Sequence, residues 1–319
     1  MTWARWAGKL AQVRATRLSI LIFHRVLETP DPLFPEEPDA AHFETLVRCV
    51  AGAFNVMPLA QAVAALREGR LPVSALSITF DDGYADNQQI AAPILQRLGL
   101  HATFFVATGF LDGGRMWNDT VVEALRRTRL QQLDLSASGL GVHALETMAQ
   151  RRQAINYVLP RVKYLPPEDR LRQVEAIASV CGEALPNDQM MSTQQLQALH
   201  RSGMGIGGHT VHHPILCSVP DDEARREIEH NKIRLEAAVQ APVTLFAYPN
   251  GKPDTDYAAR HARMVHAAGY QAAVSTAPGA AQAGADLMQL PRFTPWDRDP
   301  LRFSARLVAN LRRSGRLAT

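Results

Sequence analysis

Two adjacent carboxylates stand at the end of a segment that reads as a buried strand. Leu76, Ile78 and Phe80 alternate along the segment, and Asp81 and Asp82 follow directly before a glycine. Buried acids cost free energy unless a cation, hydrogen bonds or a retained proton compensate them. One of the two carboxylates can therefore face a metal ion and the other a water or substrate. Capping of the next helix by one of them is the alternative reading.

Two histidines further along the chain have the spacing of metal ligands. His209 and His213 are four residues apart, which would place both imidazoles on one face of a helical turn ended by Pro214. No Glu follows His209, so a carboxylate ligand has to come from elsewhere, and the Asp pair supplies one. Two His and one Asp with an open fourth position form a hydrolytic zinc site.

Four motifs together resemble the polysaccharide deacetylase family, also known as carbohydrate esterase family 4 or the NodB homology domain. They are LIFHRV at 21–26, TFDDG at 79–83, HTVHHP at 209–214 and LFAYPNG at 245–251. The first and last are similar to the His-Arg-Val and Phe-x-Tyr-Pro-x-Gly forms of one branch, which includes exopolysaccharide deacetylases. The resemblance implies a distorted (β/α)7 barrel.

The resemblance also assigns roles to these residues. It implies that Asp82, His209 and His213 hold the metal and that Asp81 is the catalytic base. It further implies that the main-chain N–H of Tyr248 stabilises the oxyanion, so that Tyr248 contacts the substrate. Pro249 has no N–H to offer, in agreement with that assignment.

The chain departs from the family pattern at two positions. Many members carry an Arg in the third motif that orients the base; it is missing here, and Arg292 is the predicted replacement. Many also carry a late Leu-x-x-His that supplies the general acid; it is absent, and His24 is the predicted acid. A surface Arg and a structural His are the respective alternatives.

We therefore expect a metal-dependent hydrolase that removes an acetyl group, most simply an N-acetyl group, from a polysaccharide, oligosaccharide or lipid-linked sugar. The expected cofactor is Zn²⁺ or another divalent transition metal, since His and carboxylate ligands also suit cobalt, nickel or iron. A catalytically inactive carbohydrate-binding protein and an amidohydrolase for a small non-sugar amide are the alternatives.

The elements that must position these residues alternate between strands and helices, which predicts an α/β fold. All 319 residues are expected to form a single catalytic domain, with a barrel core at about 18–295 and an all-helical insertion at about 119–200. The insertion would line the substrate groove. Trp117 at its start is the predicted sugar contact or, equally, an anchor of the insertion to the core.

Composition restricts the partners and the compartment. Hydrophobic residues make up 46% of the chain, and the net charge of +3 carries no nucleic-acid footprint. No signal peptide is evident, so we expect a cytoplasmic protein acting on an acetylated glycan. The basic leader (1–17) and tail (after Pro300) could bring it to the inner membrane surface, although a helix packed on the barrel explains such a segment more simply.

Overall fold

Seven parallel strands form a nearly closed ring in the computed structural model, which describes residues 16–295 and 297–319. The strands are β1 (Leu18–Phe23), β2 (Asn55–Val56), β3 (Ala75–Phe80), β4 (Ala102–Val106), β5 (Gln132–Leu135), β6 (Gly141–Ala144), β7 (Gly205–Gly208), β8 (Leu245–Ala247), β9 (Ala272–Pro278) and β10 (Leu290–Arg292). The ring order is β1-β3-β4-β7-β8-β9-β10, with β2 added beside β3. Phe293 completes the ring by donating to Ile20 at 2.8 Å and accepting from Ile22 at 3.1 Å.

Helices alternate with the strands, and most of them cover the outside of this ring. They are α1 (Ala40–Ala51), α2 (Leu59–Arg67), α3 (Ala92–Arg97, preceded by a π-helical turn at Asn87–Ala91), α4 (Trp117–Arg127), α5 (Met148–Lys163), α6 (Pro167–Cys181), α7 (Thr193–Arg201), α8 (Asp221–Val239), α9 (Ala259–Ala267) and α10 (Pro300–Asn310). Every residue of β1, β3 and β4 is buried, as expected where helices cover a parallel sheet. The predicted (β/α)7-type barrel is confirmed.

A row of phenylalanines fixes three neighbouring strands against the helical layer. Phe80 stacks on Phe23 and on Phe104, with ring centroids 5.4 and 4.9 Å apart. Phe43 of α1 meets the Phe23 ring edge-on at 5.2 Å. Because large apolar side chains supply most of the burial energy of a core, this row holds β3 in place directly below the Asp pair.

The insertion is not all helical, so that expectation was wrong. Strands β5 and β6 form an antiparallel hairpin. Leu133 and Leu135 are buried while their neighbours in β5 are exposed, an alternation that suits a strand with one covered face. Gly139, with φ of 70°, allows the tight turn. The hairpin packs with α4, α5 and α6 around a separate apolar cluster.

The last helix of the predicted insertion belongs to the barrel layer instead. Leu196 and Leu199 of α7 are part of the main core cluster, which also contains Phe80 and Phe104. The structure thus places the end of the inserted segment before α7.

The tail helix α10 packs on the barrel. Phe303 and Leu307 are fully buried, and Arg302 and Arg306 pair with Asp297. The basic leader lies outside the described residues. In the part of the chain that is described, no helix is long and apolar enough to cross a membrane. Membrane contact and a cytoplasmic location stay predictions.

Truncating Phe104 tests the importance of the aromatic row. We expect Phe104→Ala to lower the free energy of unfolding by about 3–5 kcal/mol, since the site cannot collapse around the lost ring. Urea unfolding followed by circular dichroism measures this change. Val142→Ala, at a half-exposed position in the hairpin, should stay within about 0.5 kcal/mol of wild type. Similar losses of stability in the two variants would contradict the stabilising role of the aromatic row.

Candidate active site

The strand register brings the predicted residues to one edge of the barrel. Phe23 of β1 pairs with Phe80 of β3, so His24 and Asp81 leave the sheet side by side. The Asp81 N–H donates to the Phe23 carbonyl at 2.9 Å. Gly208 ends β7 and is followed by His209. All these residues follow the carboxyl ends of parallel strands, where barrels of this kind build their sites.

The two-histidine segment is a loop, not the helical turn that its spacing predicted. Thr210 and His213 have φ values of 65° and 53°, in the left-handed region that a right-handed helix cannot include. Asp82 and Asn250 are also left-handed, at 75° and 59°. These conformations cost free energy for residues other than glycine and cluster at functional sites, where surrounding contacts enforce them.

Asp82, His209 and His213 form a compact set of ligand atoms. One potential metal-ligand atom from each residue lies within 4.8 Å of those of the other two. The Asp82 Oδ1 atom is 3.3 Å from His209 Nε2 and 3.4 Å from His213 Nε2. His209 Nδ1 lies 2.7 Å from the Ala247 carbonyl, which fixes a proton on Nδ1 and leaves Nε2 free for coordination. The set therefore fits a divalent transition metal.

Helix α8 holds the loop that carries the histidines. The buried Asn231 side chain accepts from the His209 N–H at 3.0 Å and donates to the carbonyls of Val106 and Thr210. One turn earlier, Glu227 accepts from two loop N–H groups and from the His212 ring at 2.7 Å. His212 therefore points away from the site. The sequence analysis missed both α8 residues, although polar residues on the buried face of an amphipathic helix are a readable signal.

Arg292 lies where the missing third-motif Arg was expected to act. It is fully buried at the end of β10, and its Nη1 and Nη2 donate to the two Asp81 carboxylate oxygens, each at 2.7 Å. Its Nε donates to the Ser275 carbonyl at 2.8 Å. A bidentate pair of this kind fixes the plane of the carboxylate.

Two residues that follow the Asp pair, Asp86 and Asn87, hold the segment that carries His24. Asn87 donates to the His24 carbonyl at 2.8 Å, and Asp86 accepts from the Arg25 Nε atom at 2.7 Å. The Arg25 guanidinium also lies over the Tyr84 ring. The sequence analysis did not identify Asp86 or Asn87.

A cleft of about 480 Å³ brings most of the predicted residues together. Its lining includes His24, Asp81, Asp82, His209, His213 and the half-buried Trp117, and from α5 and its end Leu159, Pro160, Lys163 and Tyr164. The insertion thus forms one wall, as expected. Trp117 also packs against the apolar cluster of the insertion, so both of its predicted roles fit its position.

Tyr248 is the predicted site residue that the structure does not bring to the cleft. Its N–H donates to the Val274 carbonyl at 3.2 Å, and its buried side chain stacks on Tyr257 and donates to Met288. The Tyr248 N–H, which the resemblance assigned to the oxyanion, is therefore hydrogen-bonded within the sheet. Asn250, two residues later, lines the cleft, and its N–H has no acceptor within the described parts of the chain.

The surrounding charges set the protonation of the site. Burial opposes ionisation of Asp81, but the Arg292 guanidinium, together with the neighbouring imidazoles, outweighs it and lowers the pKa of the carboxyl group. Burial also opposes ionisation of Asp82, but interactions with the surrounding imidazoles outweigh it, so the pKa of this carboxyl group is lowered as well. Burial lowers the pKa of His213 to about 4, which keeps this ring neutral, the form that binds metal.

Comparisons with known proteins point to one family. The family model described as "Polysaccharide deacetylase" matches residues 68–156 and 169–273, more than half of the chain. The Bacillus subtilis protein YxkH, a candidate polysaccharide deacetylase, is 19% identical over 88% of this chain and 71% of its own.

Solved structures share the fold. The Streptococcus pyogenes deacetylase PplD, solved with acetate, superposes with a TM-score of 0.60 at 18% identity over 93% of this chain and 99% of its own. IcaB from Ammonifex degensii gives a TM-score of 0.58 at 16% identity over 93% and 97%.

Asn231 offers a test of how the histidine loop is held. We expect Asn231→Ala to lower the free energy of unfolding by about 2–4 kcal/mol, because it leaves buried N–H and C=O groups without partners. Metal affinity should fall as well, since His209 loses its backbone anchor. Chemical unfolding and metal titration measure the two effects. The exposed neighbour His230→Ala is the control, and unchanged metal affinity in Asn231→Ala would argue against the anchoring role.

Proposed function

The chain belongs to the polysaccharide deacetylase family, and we propose that it hydrolyses the N-acetyl group of a sugar in a glycan at the cleft described above. One observation carries the proposal. The ligand set of Asp82, His209 and His213 lies beside a second carboxylate, Asp81, which a buried arginine holds ionised. This arrangement supplies a metal position and a general base on the floor of one cleft.

We infer that the resident metal is zinc, held by Asp82, His209 and His213. When bound, it would polarise the acyl carbonyl and acidify water. Neutral His213 and ionised Asp82 are the forms that such a metal needs. Cobalt, nickel and iron suit the same ligands, so metal analysis of the purified protein decides the identity.

The remaining steps fall to the chain's own groups. Asp81 accepts a proton from the attacking water, because each of its oxygens keeps a lone pair beyond the hydrogen bond from Arg292. His24 lines the cleft and donates a proton to the departing amine. The Asn250 N–H, in place of that of Tyr248, donates to the developing oxyanion. The products are acetate and a free amino sugar.

The geometry supports catalysis over binding alone. A missing orienting Arg would favour an inactive protein, but Arg292 contacts Asp81 from another strand and can orient it. The cleft also presents Trp117 and the half-exposed Tyr164, aromatic surfaces suited to sugar rings rather than to a small amide. We propose that the insertion belongs to the same single catalytic domain, because α5 supplies a wall of the cleft.

Substitution of the base and of a ligand should have separable effects. We expect Asp81→Asn to retain metal but to lower kcat for acetate release from N-acetylglucosamine oligomers by about 10²–10⁴-fold, since it loses the proton acceptor. His209→Ala should lose both metal and activity. Elemental analysis and an acetate assay report the two quantities, and the exposed His266→Ala serves as the control. Full activity of Asp81→Asn, or of metal-free protein, would exclude the proposed mechanism.

The pH profile tests the role of Arg292. This cation lowers the pKa of Asp81, and the base acts in its ionised form. Arg292→Met removes the charge and leaves the carboxyl group buried, so its pKa rises and the acidic limb of log(kcat/KM) moves to higher pH. Arg292→Lys should shift the limb less because it keeps a charge. Exposed Arg312→Met is the control. An unmoved limb in folded Arg292→Met would show that Asp81 is not the titrating base.

A further inference from the structure

A second cleft shares Trp117 with the first and is lined by His212 and Pro214, the neighbours of the ligand His213. Its volume is about 510 Å³, and we call it the distal cleft. Trp117 lines both clefts, and the other walls of the distal cleft come from α4 and the segment before it, α6, the loop around His212 and the first turns of α8. The shared indole places the two clefts next to each other.

The distal cleft contains a buried cation that no carboxylate neutralises. Arg170 of α6 is only 6% exposed and has no ion pair with any described residue. Its Nη1 donates to the Lys163 carbonyl at 3.1 Å, and its guanidinium carbon lies 5.2 Å from the Trp117 ring centroid. The other N–H groups have no acceptor in the described part of the chain. Burial of a charged group in this way is costly unless a partner binds it.

Two further cations line these clefts, and neither donates a hydrogen bond to a carboxylate of the described residues, although Lys163 interacts electrostatically with Asp256. Arg115 lines the distal cleft; its Nη1 bonds to the Pro186 carbonyl, and its buried Nε has no hydrogen-bond partner. Lys163 thus lines the metal cleft, and Arg115 and Arg170 line the distal cleft.

Carboxylates line the distal cleft too, but they do not neutralise these cations. Glu227 is bound by His212 and by two loop N–H groups. Glu175 and Glu223 also line the cleft, and neither forms an ion pair with Arg170 or Arg115. The unused guanidinium donors are therefore available to a ligand, and their planar array suits a carboxylate or a phosphate.

We propose that the distal cleft binds an anionic group of the glycan substrate, a carboxylate or a phosphate, through Arg170 and Arg115, while Trp117 contacts the sugar between this group and the metal. The proposal rests on the proposed function and specifies its substrate class as an anionic acylated glycan. Arg170 acts here as a specificity residue and takes no part in bond cleavage.

Matched ligands test the proposal on the wild-type protein. The probes are neutral N-acetylchitotriose, the same trisaccharide with an aldonate carboxylate at its reducing end, and the same trisaccharide with a 1-phosphate there. Calorimetry should show at least about tenfold tighter binding of one or both anionic probes than of the neutral one. The stronger of the two identifies the source of the charge. Added salt should reduce the preference.

Variants distinguish ligand binding from a structural role. Arg170→Gln keeps an N–H donor for the Lys163 carbonyl but loses the charge, so it should abolish the anionic preference and leave affinity for the neutral probe unchanged. Arg170→Lys should retain part of the preference. Arg172→Gln, an exposed position on the same helix that pairs with Asp169, is the matched control. Arg115→Gln provides a second test if Arg170→Gln does not fold.

Two results would overturn the proposal. One is equal affinity of the wild-type protein for neutral and anionic trisaccharides. The other is an equal loss for both classes in folded Arg170→Gln, which would assign Arg170 a structural or neutral-sugar role. Repeating the titrations in the Asp81→Asn background removes any contribution from turnover, and anionic preference in a protein that releases no acetate would support the distal site and reject the proposed function.

Discussion

The pair of buried carboxylates at the end of β3 is the constraint on which the rest of this structure depends. Two adjacent acids cannot remain ionised in a covered strand end without compensation. Arg292 compensates Asp81, and His209 and His213 surround Asp82. The arginine follows Asp81 by 211 positions, and only closure of the ring through Phe293 brings β10 beside β1 and its neighbour β3. Barrel closure and the ionisation of the base are therefore linked.

Helix α8 fixes the position of the histidines, as closure of the ring fixes that of Asp81. Its buried polar residues, Glu227 and Asn231, bind backbone groups of the loop that carries His209 and His213. Residues in this loop have left-handed backbone conformations, which a free loop would leave readily. The hydrogen bonds of α8 restrain that loop. Such restraint preserves ligand geometry, since misplacement of a ligand by even a short distance weakens a metal site.

The insertion contributes the substrate side of the site. Its own apolar cluster allows α5 and α6 to hold a fixed position above the barrel edge. From there they present Lys163, Tyr164 and Arg170, and the start of α4 presents Trp117 between the two clefts. The barrel thus carries the proposed reacting groups, while the insertion carries the groups that we propose select the glycan. This division is common in enzymes that vary loops on a constant scaffold.

The sequence by itself determined the α/β class and the identity of the Asp and His residues, because these depend on local periodicity and on motifs of adjacent residues, and the barrel followed from the resemblance to the family. Its errors have physical causes. The β5–β6 hairpin was too short to stand out among helices, and the backbone of the histidine loop depends on contacts with α8. The Tyr248 N–H donates to the carbonyl of Val274 in β9, a pairing that no local pattern shows. Only the tertiary structure decided that Arg292 reaches Asp81, that Asn231 anchors His209 and that Arg170 lies buried beside Trp117, since each contact joins segments far apart in the chain.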